Sequence, residues 1–303
     1  MAKLAPNLSA SPCDCCGALA WEYLFSESGF DLGRCSECGL HYVAQMPRRE
    51  QRMTEIEVGH FAGTRVVTGA KVHRGDERRR LGQFRRYIEK VRRLALEGKW
   101  LEIGCGTGSL ITMARSEFGI DASGIELSRD RRELARKVTG ATIYGEPLED
   151  LRLPAASFAG VMLITVFSHL TSPSETFSEI RRVLRPGGIL LLVTGEIGPG
   201  VHRKHAFSWD LGDHLYFLGV GTVERYASGA GLELVEREQV WQPAALYTRE
   251  RFKVRGRSKV RDLIKLACAY TPGVLPLLRW YMLTHKHAGN PIYTSTLVLR
   301  KPA

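Results

Sequence analysis

Two groups of residues in this chain have the types and the spacing to do chemistry. The first is Glu102-Ile103-Gly104-Cys105-Gly106-Thr107-Gly108. A short apolar run ends in an acid, glycines follow at alternate positions, and a helix begins after them. Bare backbone at a strand end, beside a helix N-terminus, lets a ligand approach closely. The carboxylate of Glu102 would repel a phosphate and attract a ligand with a positive end. About twenty residues further on, Glu126 in Gly124-Ile125-Glu126-Leu127 stands where an acid accepts hydrogen bonds from ribose hydroxyls. A dinucleotide fold wants Gly-x-Gly-x-x-Gly, whereas here Ser109 follows a Gly-x-Gly-x-Gly run. The two acids and the glycine run therefore specify a nucleoside carrying positive charge.

The second group is Cys13-Asp14-Cys15-Cys16-Gly17 and Cys35-Ser36-Glu37-Cys38-Gly39. Two copies of Cys-x-x-Cys-Gly, separated by a segment long enough for a hairpin, make a four-thiolate structural zinc site. Cys15 leaves the register of the first pair ambiguous. Matching the second knuckle selects Cys13 and Cys16 with Cys35 and Cys38. All four positions around the ion are then filled, so the zinc is structural. Five of the seven cysteines lie in this region, and no secretion signal precedes them, which disfavours a disulfide framework.

These groups need elements to hold them. Residues 76–96 carry apolar residues at helical spacing with an arginine-rich opposite face. Strands are expected over 99–104, 121–127, 141–144, 158–164, 189–194 and 232–240, with helices over 109–118, 129–138, 175–184 and 223–230 and a last strand at 292–300. Arg185-Pro186-Gly187-Gly188 is expected as a helix-ending turn. The alternation predicts a doubly wound α/β sheet. The expected organisation is a zinc ribbon over 1–48, a linker and helix over 49–97, and an α/β domain over 98–303. That domain carries a basic and apolar insertion at about 245–290.

The motifs at 102–108, at 124–128 (Gly-Ile-Glu-Leu-Ser) and at 182–188 (Arg-Val-Leu-Arg-Pro-Gly-Gly) resemble, in order and spacing, the class I S-adenosylmethionine-dependent methyltransferases. The ribbon, His60-Phe61 and His214-Leu215-Tyr216-Phe217 resemble a subgroup with an N-terminal zinc ribbon. The resemblance implies a Rossmann-like sheet of seven strands, the last antiparallel, with S-adenosyl-L-methionine lying over the glycine loop. It implies that Glu102, Gly104, Cys105, Gly106, Thr107 and Gly108 surround the methionine part of the donor. Glu126 would hold the ribose, Leu127 the adenine face, and Leu148 and Glu149 the adenine edge. Ile164 and Thr165 would floor the site. Where the family commonly has Glu-His, this chain has Ser168-His169, and an Asp usual near the start of strand four is Ala159.

A sulfonium donor is already activated, so the protein has to align the acceptor and supply a base. His214, in a segment where a lid belongs, and His169 are the candidate bases. Trp209, Tyr216 and Phe217 are candidates to shape the acceptor pocket, and the basic loop His202-Arg203-Lys204-His205 suits an anionic small molecule. The net charge of +11 also admits RNA, but the segment 17–34 carries three acids and one arginine. The chain is 44% hydrophobic and 25% charged, and its most apolar segment, 263–283, is broken by Lys265 and Arg279. The sequence thus predicts a cytoplasmic methyltransferase acting on a small molecule, with oxygen the expected acceptor atom. An RNA-modifying enzyme or a non-catalytic binding protein on the same fold is the alternative. The insertion at 245–290 is read as an acceptor lid, then as a homodimer contact, then as an interfacial membrane surface.

Overall fold

The computed structural model describes residues 11–58, 60–61, 64–65, 74–94, 97–201, 209–241, 271, 273–281, 284 and 291–303. The basic loop 202–205 and most of the 245–290 insertion, including its alternating basic residues, lie outside the described residues.

Along β10 (Leu184–Ile197), Leu190 and Leu192 belong to one buried cluster, while Leu191 and Val193 belong to another. That alternation is the two-residue period of a strand buried on both faces. The neighbouring strand β9 (Phe158–Ile164) behaves in the same way and is buried up to its last residue. Around this pair the sheet is built from β6 (Trp100–Ile103), β7 (Ala122–Ile125), β8 (Ile143–Tyr144), β12 (Glu233–Trp241) and β13 (Ile292–Arg300). The order is β8-β7-β6-β9-β10-β13-β12, parallel through β10, with β13 antiparallel to both its neighbours. This is the seven-stranded sheet with one antiparallel strand that the resemblance implies. β12 pairs with β13 alone among the described strands and is largely exposed, and its charged residues suit a sheet edge.

Helices cover both faces: α1 (Arg49–Glu57), α2 (Arg74–Arg92), α3 (Ser109–Phe118), α4 (Arg129–Thr139), α5 (Pro173–Val183) and α6 (Thr222–Ala230), with a further short helix, α7 (Val274–Tyr281). α3 and α4 each end on a glycine in the left-handed region, Gly119 and Gly140, whose N–H closes the last turn. The cluster on one face contains Phe84, Ile88 and Val91 of α2 and Leu110 and Ile111 of α3.

Arg185-Pro186-Gly187-Gly188 departs from its expected role. It is not a turn ahead of the strand but a bulge inside β10, where the register against β9 shifts between Leu184 and Ile189. The reason is local pairing. The Gly187 N–H reaches the Lys301 carbonyl and the Lys301 N–H reaches the Gly188 carbonyl, so the ladder continues through the bulge.

The N-terminal hairpin β1 (Trp21–Glu27) and β2 (Phe30–Cys35), with β3 (His41–Val43), does not stand apart. β3 pairs with β11 (Tyr216–Gly219), and β11 pairs in parallel with the end of β10, where β9 has already stopped. One eleven-stranded sheet results. Cys13, Leu32, Leu40 and Tyr42 share a single buried cluster with Phe167, Phe177, Leu190 and Tyr226. Among the described residues, no helix is long and apolar enough to cross a membrane.

Candidate active site

The glycine loop leaves β6 and enters α3. Gly104, Gly106 and Gly108 all have positive φ, at 72°, 58° and 80°. A Cβ on Gly104 would lie 2.4 Å from Val166, and one on Gly108 would lie 2.4 Å from Thr139. A Cβ on Gly106 would meet nothing within 4 Å, because it would enter an open cavity. That cavity, of about 580 Å³, is lined by Glu102, Gly104, Cys105, Gly106, Glu126, Leu127, Leu148, Glu149, Ile164 and Thr165 on its sheet side. The size is that of a small-molecule site. Thr107 and Gly108 stand outside the lining, where they turn the chain into α3.

Glu102 is buried, and its Oε2 has no hydrogen-bond partner. Burial, partly countered by Arg80 and reinforced by Glu126, pushes its pKa up from 4.5 to about 8. An unsatisfied carboxylate against a cavity is a receptor for a cationic group. Glu126 is tied down instead. Its Oε2 accepts the Gly106 N–H at 2.8 Å and its Oε1 accepts the Ser128 N–H at 2.9 Å. Each oxygen keeps a second lone pair that a diol can use. Glu149 accepts a short hydrogen bond from Thr176 Oγ1, and Thr165 holds positive φ (58°) at the exit of β9. Cys105 is buried, and burial raises its thiol pKa, so it is held as an uncharged thiol.

The opposite wall comes from residues that sequence spacing did not single out for the site. Met53 and Ile56 of α1 and Arg80, Gln83, Phe84 and Tyr87 of α2 roof the cavity. His169 and Asp213 also line it. His169 Nδ1 lies 3.0 Å from the Asp213 carbonyl and 3.5 Å from Asp213 Oδ1. His214 Nδ1 lies 2.8 Å from the Trp209 carbonyl. A carbonyl only accepts, so both rings carry hydrogen on Nδ1 and present a lone pair on Nε2 when neutral. The two rings are 4.6 Å apart, but His214 is not part of the cavity wall. Burial and the neighbouring His169 lower the His214 pKa, so this ring stays neutral. Burial works to raise the Asp213 pKa, yet His169, His214 and Arg52 outweigh it and hold the group below the ordinary carboxylate value.

Arg52 is the hidden support. It is only 1% exposed, and it donates to the Gly212 carbonyl at 3.3 Å, the Asp213 carbonyl at 2.8 Å and Asp213 Oδ1 at 3.2 Å. The carboxylate beside His169 is thus that of residue 213, brought to it across space. His169, Asp213 and His214 place ligand-type atoms within 4.8 Å of one another. Arg52 pairs with Asp213, and Asp213 in turn holds the His169 ring through Nδ1. Trp209, Tyr216 and Phe217 pack in the ribbon-side core, Trp209 against Phe25 and Phe217. The basic face of α2 is partly neutralised: Arg85 pairs with Glu117, and Lys90 with Glu236 and Glu238.

In the N-terminal hairpin, the sulfur atoms of Cys13, Cys16, Cys35 and Cys38 lie within 4.8 Å of one another. Cys13 and Cys38 are 3.4 Å apart, and Cys16 and Cys35 are 3.6 Å apart. Tetrahedral zinc with Zn–S bonds of about 2.3 Å needs sulfurs about 3.8 Å apart, so the set fits. Gly17 and Gly39 adopt positive φ, and their N–H groups reach back to the Cys13 and Cys35 carbonyls. Cys15 stands outside the group of four.

A methyltransferase-domain family model matches residues 101–192. A ubiquinone/menaquinone biosynthesis C-methyltransferase of Geotalea daltonii is 27% identical over 146 residues, covering 45% of this chain and 60% of that protein. A phosphatidylethanolamine N-methyltransferase of Cereibacter sphaeroides is 30% identical over 173 residues, covering 52% of this chain and 81% of that one. Coverage of other curated relatives is shorter, falling to 36% of the length of a fungal O-methyltransferase. The crystal structure of a geranyl diphosphate C-methyltransferase from Streptomyces coelicolor A3(2), with Mg2+, geranyl diphosphate and S-adenosyl-L-homocysteine, has a TM-score of 0.52 at 15% identity. It covers 78% of this chain and 89% of that one, and shows the same fold.

Proposed function

The chain belongs to the class I S-adenosylmethionine-dependent methyltransferases, and from that premise we propose that it transfers the donor's methyl group to an oxygen of a small-molecule acceptor. The observation that carries the proposal is one cavity lined by two chemically distinct groups. One is the unsatisfied carboxylate of Glu102 with the bare backbone of Gly106. The other is His169, held by Asp213.

S-adenosyl-L-methionine supplies an electrophilic methyl on a sulfonium, so no protein nucleophile is required. Glu102 receives the positive amino end of the donor, Glu126 the ribose hydroxyls, and Leu127, Leu148 and Glu149 the base. Ile164 and Thr165 set the floor beneath the transferring methyl. His169 Nε2 takes the proton from the acceptor hydroxyl as the oxygen attacks, and Asp213 and Arg52 fix the ring for that step. His214 packs behind His169 and holds its orientation. Cys13, Cys16, Cys35 and Cys38 hold structural Zn2+. Met53, Ile56, Phe84 and Tyr87 give the acceptor an apolar wall.

Calorimetric titration of the zinc-loaded protein with S-adenosyl-L-methionine tests the first half; absence of binding overturns it. The second half is tested by an acceptor screen that reads released S-adenosyl-L-homocysteine with the native protein, His169→Gln and His214→Ala. Loss confined to His169→Gln supports the assignment of the base. Full turnover in that variant removes it.

A further inference from the structure

Asp14 stands inside the first knuckle, between Cys13 and Cys16, and its carboxylate is engaged far away in sequence. Oδ2 accepts the Ser174 N–H at 2.9 Å and the Tyr226 hydroxyl at 2.8 Å. Oδ1 accepts from Ser174 Oγ at 2.9 Å and Ser172 Oγ at 3.3 Å. Ser172 occupies the N-cap position of α5 yet makes no capping bond itself. One orphan donor at that helix start, the Ser174 N–H, is therefore satisfied from the ribbon. A negative charge there also suits the helix dipole.

The second knuckle docks next to it. A Cβ on Gly219, at the end of β11, would lie 2.0 Å from the Gly39 carbonyl, so strand and knuckle meet backbone to backbone. Thr222 Oγ1 donates to the Cys38 carbonyl at 3.5 Å. From β3 the chain of contacts runs inward. The Val43 N–H donates to the Leu215 carbonyl at 3.1 Å, and the Leu215 N–H donates to the Ser168 carbonyl at 2.7 Å. The Tyr216 hydroxyl reaches the Thr171 carbonyl at 3.4 Å. Between these two anchorages lie His169, Leu170 and Thr171, and Thr176 follows the second; all four are on the cavity wall.

We propose that the metal ribbon is a positioning element for the acceptor side of the cavity: Asp14, held by the metal-bound knuckle, caps α5 and thereby fixes the 166–176 segment that carries His169. Asp14 is a positioning residue and touches no substrate. The proposal rests on the assignment of zinc to the four thiolates and on the role given to His169, but it needs neither the acceptor nor turnover for its test.

The test uses the full-length protein as native chain, as Asp14→Ala and as Asp31→Ala. Asp31 bonds to Ser26 in the hairpin and to Gln45 just after β3, and so controls for a loosened ribbon. Amide hydrogen exchange by mass spectrometry reads residues 166–176 and 100–127, and bound zinc is counted by metal analysis. Nitrogen NMR of the imidazoles, with His169→Gln to identify the signal, reads the His169 tautomer. In Asp14→Ala we expect zinc to stay near one ion per chain, exchange at 166–176 to rise about tenfold, as for a lost helix cap, and the His169 tautomer to become mixed. Exchange at 100–127 stays unchanged. Removing zinc from the native chain with a chelator reproduces the change at 166–176. Unchanged exchange at 166–176 in Asp14→Ala, or an equal rise in Asp31→Ala, overturns the proposal. A native protein that holds no zinc overturns its metal premise. Failure of S-adenosyl-L-methionine to bind would instead count against the methyltransferase proposal and leave the exchange result standing.

Discussion

Glu102 carries the clearest consequence of burial. The folded chain keeps its proton up to about pH 8, whereas the ordinary value is 4.5. Across that window the folded state binds more protons than the unfolded state, so stability falls as pH rises. The contribution is full below 4.5 and is lost as pH passes through about 8. We expect melting temperatures of the unliganded protein to decline over this interval and Glu102→Gln to flatten the decline. A cationic ligand selects the ionised carboxylate, so donor affinity rises over the same window in the native protein and not in Glu102→Gln; calorimetry at several pH values checks both. Glu102 and Glu126 were legible from their place after hydrophobic runs beside glycines. Asp213 was not, because an acid in a loop carries no local signal until His169 and Arg52 are brought to it.

The loop between β6 and α3 separates two uses of glycine. Gly104→Ala drives a methyl into Val166 as well as straining a positive φ. Gly106→Ala meets open space and strains only the backbone, at about 1–2 kcal/mol. We expect urea denaturation to register a larger loss of stability for Gly104→Ala. Donor titration should register the larger loss of affinity for Gly106→Ala once folding is corrected for. α1 makes a different kind of prediction. Its Arg52 is buried against Asp213, and Arg52→Met takes a donor from that carboxylate and from the Gly212 and Asp213 carbonyls, leaving Asp213 with His169 alone among these partners. The expected cost is about 3 kcal/mol in chemical denaturation, with turnover falling further than donor affinity. The spacing in 49–57 offered little to identify α1, since Met53 and Ile56 are its only apolar side chains and both serve the cavity.

The whole molecule has a continuous sheet and one core cluster that spans the ribbon and the α5–α6 face. Separate melting of a ribbon and a catalytic half is therefore not expected. Chelation of the metal should lower a single cooperative transition, read by near-ultraviolet circular dichroism and by intrinsic fluorescence at the same temperature. Two resolved transitions would contradict a shared core. The positive charge of the chain is distributed in the same integrated way, with Arg85 and Lys90 of α2 answered by acids on α3 and β12.

Short-range order was written in the chain. The glycine loop, the acid ending β6, the alternation of strand and helix, and the paired Cys-x-x-Cys-Gly knuckles each follow from spacing within a few residues. Backbone conformation, helix starts and metal-ligand geometry are local properties of that kind. The bulge in β10 depended instead on Lys301, which pairs with it from the far end of the chain. The acceptor side of the cavity came from longer reach still. Arg52 and Asp213 are 161 residues apart, and Asp14 and Tyr226 are 212 apart. Their partnership depends on β11 joining the ribbon to the end of β10, and the pairing of distant strands leaves no periodic trace in the segments that take part.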